Sequence, residues 1–186
     1  MLAAFLGGVV VGFIGALVAP IDPGIYDPYV YFALPILVGA TASGFGWALL
    51  ATFLAVVTTL VAAMGGSALR GDLGFDAIGD TAVGLNILVA HLVVLGLLAY
   101  VTRRRDLWGD LATGIISGLL LGDIIDRATP GGLDWHAGFW PAPALGLAGL
   151  ALLSLIALRR TTAGRLRAAV VACVVTGALA GALLAL

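Results

Sequence analysis

The feature that most constrains this chain is its series of long apolar runs. A helix that crosses a bilayer needs about 20 mostly apolar residues, within a range of roughly 17–25. Seven runs meet this requirement: residues 2–19, 29–45, 47–64, 81–102, 107–125, 140–158 and 168–186. The sequence therefore predicts an all-α, polytopic transmembrane bundle with seven spans, in which residues 1–186 form a single integral membrane domain.

The second and third runs form one apolar stretch that is too long for an ordinary span. Glycines at its middle, Gly44 and Gly46, favour a turn and so predict a tight helical hairpin. One long element in place of the hairpin would give six spans, which is the alternative. The first run lacks a positively charged start, and Pro20 would follow a cleavage after Ala19, so we expect a retained helix rather than a secretory signal.

Composition excludes other classes of protein. Hydrophobic residues make up 62% of the chain and charged residues 10%, with a mean hydropathy of +1.16, whereas soluble domains have roughly 45–50% apolar and about 25% charged residues. The net charge of −1 argues against nucleic-acid binding, which needs a clustered basic surface. Cys173 is the single cysteine and cannot form an intrachain disulfide.

Arginine positions predict the orientation, because cytoplasmic flanks of membrane helices collect positive charge. The seven-helix prediction leaves only Arg70 and Arg127 outside and places these arginines inside: Arg103, Arg104, Arg105, Arg159, Arg160, Arg165 and Arg167. It also sends most aspartates to the external face. We therefore expect a multi-pass protein of the cell membrane, with a cytoplasmic N-terminus and an external C-terminus.

Glycines recur at the spacing that lets two membrane helices approach closely. The motifs are Gly8-xxx-Gly12, Gly114-xxx-Gly118-xxx-Gly122 and Gly177-xxx-Gly181. Packing within the bundle is the expected use of these faces. The alternative is contact with a second copy or with other membrane subunits, for which the terminal helices are the better candidates.

Ionisable groups at membrane depth are costly and are candidates for function. Asp123 and Asp126 lie three residues apart, on one face of the fifth helix near its external end, and Asp134 and His136 follow in a short loop. Such a group could bind a divalent cation or share a proton as an acid/base pair. In the alternative interpretation, Arg127 pairs with one aspartate and the other faces water.

Two further polar residues lie inside the fourth helix. Asn86 and His91 are five residues apart and are not on one helical face. We expect His91 to be packed and hydrogen-bonded across the bundle, because a haem or metal site needs a second ligand and no other predicted helix contains a histidine. The sequence contains no complete catalytic or phosphate-binding motif and indicates no particular cofactor.

The second half of the chain carries three short sequences in a familiar order. Residues 100–105 read Tyr-Val-Thr-Arg-Arg-Arg, residues 120–127 read Leu-Leu-Gly-Asp-Ile-Ile-Asp-Arg, and Trp140-Pro141 open the next apolar run. From about residue 85 to 158 this order resembles the C-terminal half of the lipoprotein signal peptidase (signal peptidase II) family. That family has a G-x-L-G-N-x-x-D-R helix end, followed by a helix that opens with W-P-x-F-N-x-A-D.

The resemblance implies that Asp126 corresponds to one of two catalytic aspartates on the external side. Leu147 stands where the second catalytic aspartate would be, and Ala144 stands where the family has asparagine. The family's early D-x-x-T-K motif is absent, and three predicted helices precede the matched region instead of one. Because an aspartyl peptidase needs two carboxylates sharing a proton, activity would require Asp123 or Asp134 to replace the missing one.

Three functional hypotheses follow from the sequence. The first is a non-enzymatic membrane protein, either a small subunit of a membrane complex or a solute-binding transport component. The second is an intramembrane aspartyl hydrolase centred on Asp126, with Asp123 as its candidate partner. The third is a cation channel or transporter that uses the external aspartates.

Overall fold

The computed structural model describes residues 1–18, 29–71, 82–130 and 139–185. Within these residues the chain forms seven α-helices and no strand. The helices are α1 (Leu2–Val18), α2 (Tyr29–Thr41), α3 (Phe45–Leu69), α4 (Ala82–Val101), α5 (Leu107–Ala128), α6 (Ala142–Leu158) and α7 (Thr162–Leu184). The all-α prediction is confirmed for the described part of the chain.

Three of these helices, α3, α5 and α7, are long and apolar enough to cross a membrane. The apolar stretches of the other four are shorter: Leu2–Val18, Tyr31–Thr41, Leu85–Val101 and Ala142–Leu158. A helix of 17 residues, such as α1 or α6, is about 25 Å long, against roughly 30 Å for a hydrocarbon core. Length and composition thus support three spans among the described helices, fewer than the seven predicted.

The predicted hairpin between the second and third runs is confirmed. Helix α2 ends at Thr41 and α3 begins at Phe45, so only three residues separate them. Gly44 precedes α3 with an extended backbone (φ −162°, ψ 166°), and α2 and α3 pack against each other. The glycine-containing turn therefore reverses the chain direction within the apolar stretch.

The last helix begins six residues earlier than the apolar pattern predicted. The Thr161 side chain accepts a hydrogen bond from the Gly164 N–H at 3.2 Å and caps α7. Arg165 donates to the backbone carbonyl of Arg159 at 2.8 Å, and Arg167 pairs with Asp110 at 3.0 Å. A prediction based on apolar content was wrong here because both arginines have partners that stabilise them in the first turns of the helix.

The chain divides into two compact units, Met1–Tyr100 and Val101–Leu186. In the first unit, α1 lies against α3 through Gly8 and Gly12, where an added Cβ would overlap Thr58 or the backbone carbonyl of Thr59. Helices α2 and α4 approach at Gly39 and Gly96, whose backbones touch. The Gly8-xxx-Gly12 motif is therefore used for packing inside the chain.

In the second unit, α5 lies between α6 and α7. The three motif glycines of α5 face three α7 side chains in order: Gly114 with Val171, Gly118 with Val175 and Gly122 with Leu179. The Ser117 hydroxyl donates to the Ala151 carbonyl of α6 at 3.2 Å, and the Thr176 hydroxyl of α7 donates to the Gly118 carbonyl at the same distance. This second motif is also used within the chain, as expected.

Candidate functional site

Helix α5 carries charged side chains near both of its ends. Asp110 lies in its first turn, and Asp123, Asp126 and Arg127 lie in its last two turns. Between them, the buried face of α5 is lined by glycines, the hydroxyl side chains of Thr113 and Ser117, and the apolar side chains of Ala112, Ile116 and Leu120. The charged side chains of α5 therefore lie at its two ends, on either side of its packed central part.

At the N-terminal end, the Asp110 carboxylate binds two arginines from other segments. Its Oδ1 is 3.1 Å from Nε of Arg159, which lies in the link between α6 and α7, and its Oδ2 is 3.0 Å from Nη1 of Arg167 in α7. Only 8% of the Asp110 side chain and 7% of the Arg159 side chain are exposed. We call Asp110, Thr113, Arg159 and Arg167 the arginine-end cluster.

Arg159 connects three segments of the second unit. Besides Asp110, its Nε donates to the Thr113 hydroxyl of α5 at 3.3 Å, and its Nη1 donates to the backbone carbonyl of Arg104 at 2.9 Å. Arg104 lies in the link before α5. The Arg159 guanidinium therefore joins the start of α5 to that link and to its own link between α6 and α7. Removing one partner of such a buried pair leaves the other charge unpaired, at a cost of about 3–5 kcal/mol.

Two glycines make room for the cluster. A Cβ at Gly109 would overlap Nη2 of Arg159 and the Arg104 carbonyl oxygen, and a Cβ at Gly164 would lie 3.0 Å from Oδ1 of Asp110. Nη2 of Arg159 is buried and has no hydrogen-bond partner within the described residues. It packs against Gly109, where a Cβ would overlap it.

The link before α5 ends in a charged helix cap. Oδ1 of Asp106 accepts from the Gly109 N–H at 3.3 Å, and Oδ2 is 2.8 Å from Nη2 of Arg104. Desolvation is the largest single influence on this carboxyl and would raise its pKa. The Gly109 N–H and the Arg104 guanidinium together outweigh it, so the pKa of Asp106 lies below its ordinary value.

At the C-terminal end of α5, the charged pair is local. Nε of Arg127 is 3.0 Å from Oδ2 of Asp123, one turn away on the same helix, and the two side chains are 19% and 17% exposed. Asp126 is also partly buried. Arg127 thus binds Asp123, one of the two aspartates singled out from the sequence.

Two of the remaining predicted site residues lie outside the described residues, and two lie in the other unit. Asp134 and His136 lie outside the described residues. In the other unit, Asn86 is exposed and His91 is partly buried, with its ring 5.9 Å from the Phe32 ring at an angle of 51°. This ring contact with α2 agrees with a packed His91. Within the described ranges, no three His, Cys or Asp side chains are grouped as metal ligands would be.

Sequence reasoning missed the arginine-end cluster. Asp110 lies inside an apolar run and was not singled out, and Arg159 and Arg167 were used only as markers of the cytoplasmic side. A usable signal was present, because an aspartate in the first turn of a membrane helix, five residues after three consecutive arginines, needs a partner.

No protein family, curated protein or solved structure matches this chain.

Proposed function

We propose that this chain is a multi-pass membrane protein that serves as a small, non-enzymatic subunit of a membrane assembly. Helices α3, α5 and α7 have the length and apolar character of spans. In this proposal α1, α4 and α6, each of 17 residues or more, complete the spans together with the 13-residue α2 of the hairpin, which is shorter than the usual lower limit of about 17 residues. The arginine end of α5 faces the cytoplasm, which puts the N-terminus inside and the C-terminus outside the cell membrane.

An interfacial aromatic supports this orientation. Trp108 opens α5 directly after the arginine-containing link and is 63% exposed. Tryptophan prefers the level of the lipid headgroups at either membrane surface, so Trp108 agrees with an interface at the start of α5, and the neighbouring arginines assign that interface to the cytoplasm. Leu107 beside it is also exposed.

The observation that carries the subunit proposal is the third glycine motif. The glycine motifs of α1 and α5 face neighbouring helices, whereas no atom of the described residues lies within 4 Å of a Cβ added at Gly177 or Gly181 of α7. Only 11% of the most apolar stretch of α7 is buried, compared with 56% for α5. A face of this kind fits a further helix, because glycine lets two helix backbones approach closely, and such packing is possible against a helix but not against lipid chains.

The partner we propose is a second copy of this chain. Two-fold symmetry brings the same face of both copies together, and a glycine face is self-complementary. Cys173 is exposed one turn before Gly177, and Val170 and Val174 are exposed beside it. A parallel contact between two α7 helices therefore places the two Cys173 thiols near each other.

Oxidative cross-linking of Cys173 in native membranes tests this proposal without introducing any residue. We expect a disulfide-linked dimer in the wild type and none in Cys173→Ser. Replacing Gly177 and Gly181 with leucine should remove most of the cross-linked product, because the larger side chains separate the helices. Gly149→Leu is the matched control, since Gly149 of α6 is also exposed with no atom within 4 Å, and it should leave the dimer intact.

Intact-complex mass spectrometry of native nanodiscs provides the second measurement. A dimer that becomes a monomer in the Gly177→Leu/Gly181→Leu variant supports the proposal. A stoichiometric complex with a different protein would keep the subunit role and replace the partner. A wild-type chain that is monomeric in nanodiscs and does not cross-link would contradict the proposal.

A second candidate function is hydrolysis or cation binding at the other end of α5. The observation that favours it is the partly buried Asp126, three residues from Asp123 on a helix long enough to span the membrane. Asp126→Asn should abolish a hydrolase but leave a structural subunit assembled. If cation-dependent stabilisation persisted after Asp123, Asp126 and Asp134 were all neutralised, the cation-binding version would be lost.

A further inference from the structure

Positive charge is concentrated at one end of the second unit. Seven arginines and two aspartates lie in the links 102–106 and 159–161 and in the first turns of α5 and α7, which leaves a formal charge of +5. The two aspartates bind Arg104, Arg159 and Arg167. Arg165 donates to backbone carbonyls. These two carboxylates therefore neutralise only part of the positive charge at this end of the unit.

Two of these arginines stand out because nothing in the described fold uses their side chains. Arg105 and Arg160 are exposed, and neither makes a hydrogen bond or ion pair with a described residue. The two links that carry them are joined by the 2.9 Å hydrogen bond from the Arg159 side chain to the Arg104 carbonyl, and each arginine directly follows one of the two bonded residues. These joined links thus carry two exposed guanidinium groups that no described residue binds.

Apolar side chains border this charged surface. Leu107 and Trp108 follow Arg105 at the start of α5, and Leu166 lies in the first turns of α7; all three are exposed. Guanidinium groups beside exposed apolar side chains match an amphiphile with an anionic head and an apolar tail. A small inorganic anion would use the arginines but not the apolar border.

We infer that this surface is a binding site for an anionic phospholipid. Arg105 and Arg160 bind the phosphate, for which guanidinium is well suited through paired N–H donors, and the acyl chains lie along Leu107, Trp108 and Leu166. Each arginine near an anionic headgroup should strengthen lipid binding roughly 5-fold, so losing two should weaken it roughly 25-fold. The inference rests on the membrane location and is independent of the dimer proposed above.

The test is a lipid titration of the purified full-length chain in mild detergent, followed by native mass spectrometry. Phosphatidylglycerol, phosphatidylcholine with the same acyl chains, and inorganic phosphate are added separately. We expect the wild type to retain phosphatidylglycerol at concentrations where phosphatidylcholine is lost, and the preference should weaken as ionic strength rises. Inorganic phosphate alone should not displace the lipid.

The deciding variant is Arg105→Gln/Arg160→Gln. It should bind phosphatidylglycerol roughly 25-fold more weakly while unfolding at the wild-type temperature in detergent without added lipid, because neither side chain has a partner in the fold. Arg105→Lys/Arg160→Lys, which keeps the charge, should retain the preference for anionic lipid. Arg70→Gln is the matched control, because Arg70 is an exposed arginine of the other unit, and it should bind as the wild type does.

Three results would overturn the inference. The first is equal retention of phosphatidylglycerol and phosphatidylcholine by the wild type. The second is unchanged phosphatidylglycerol binding by the glutamine variant. The third is displacement of the lipid by inorganic phosphate at similar concentrations, which would make the surface a site for free phosphate.

Discussion

The two ends of α5 each pair an aspartate with an arginine, but the arginines come from different parts of the chain. Each end has an aspartate bonded to an arginine at about 3 Å. Near Asp123 the partner is Arg127, one turn along the same helix, and both side chains retain 17–19% exposure. At Asp110 the partners come from the link after α6 and from α7, and the Asp110–Arg159 pair is less than 9% exposed.

This difference decides what each pair contributes. A pair within one helix adds little to tertiary structure, because the helix places both partners whether or not the rest of the unit is assembled. A buried pair between segments is satisfied only when those segments are packed together. The N-terminal end of α5 should therefore hold the unit together, and the C-terminal end should tolerate change.

The largest effect is expected from Asp110→Ala. It leaves Arg159 buried beside Thr113 without its carboxylate, so the free energy of unfolding in detergent should fall by about 3–5 kcal/mol. Chemical or thermal unfolding of the purified chain measures this loss. A loss of unfolding free energy below about 1 kcal/mol would mean that water reaches the cluster. The Asp110–Arg159 pair would then contribute no more than the Asp123–Arg127 pair.

A smaller but substantial effect is expected from Gly109→Ala. The new methyl group would overlap Nη2 of Arg159 and the Arg104 carbonyl oxygen, so we expect a loss of about 1–3 kcal/mol from overpacking. Gly149→Ala is the control at an open position of α6. It should be neutral or stabilising by up to about 1 kcal/mol, because alanine favours helix over glycine. Equal losses in both variants would show that the cluster is not tightly packed.

At the other end of α5, Asp123→Ala should cost less than about 1 kcal/mol. The Asp123–Arg127 pair lies within one helix and remains in contact with solvent, and such pairs contribute a few tenths of a kcal/mol to about 1 kcal/mol. The same unfolding measurement applies. A loss as large as that of Asp110→Ala would reverse the comparison and make this end a second tertiary contact.

The smallest effect concerns pH at the cap before α5. Because the pKa of Asp106 is lower in the folded chain, its ionised form stabilises the fold above the ordinary carboxyl pKa, and this contribution disappears as the pH falls through the lowered value. Asp106→Asn keeps a good capping residue and should flatten this acidic part of the stability profile. Unfolding temperatures from neutral to acidic pH measure it, and identical profiles would contradict the assigned pKa direction.

Local pattern in the sequence predicted local structure well. The apolar runs predicted the helices, the glycines near Gly44 predicted the α2–α3 turn, and the glycine spacing on α5 predicted a packing face. Asp123 and Asp126 were visible because they are three residues apart. Asp110 was missed because its partner Arg167 is 57 residues away, and no local pattern indicates which arginine a buried aspartate will contact.

Asp110 and Arg159 form an ion pair between segments, whereas Asp123 and Arg127 form an ion pair within one helix. Two double-mutant cycles of alanine variants, measured by unfolding of the purified chain, test directly whether the first pair contributes more to stability than the second. We predict a coupling energy for Asp110/Arg159 several times larger than the few tenths of a kcal/mol expected for Asp123/Arg127. Equal coupling energies for the two pairs would contradict this expected difference.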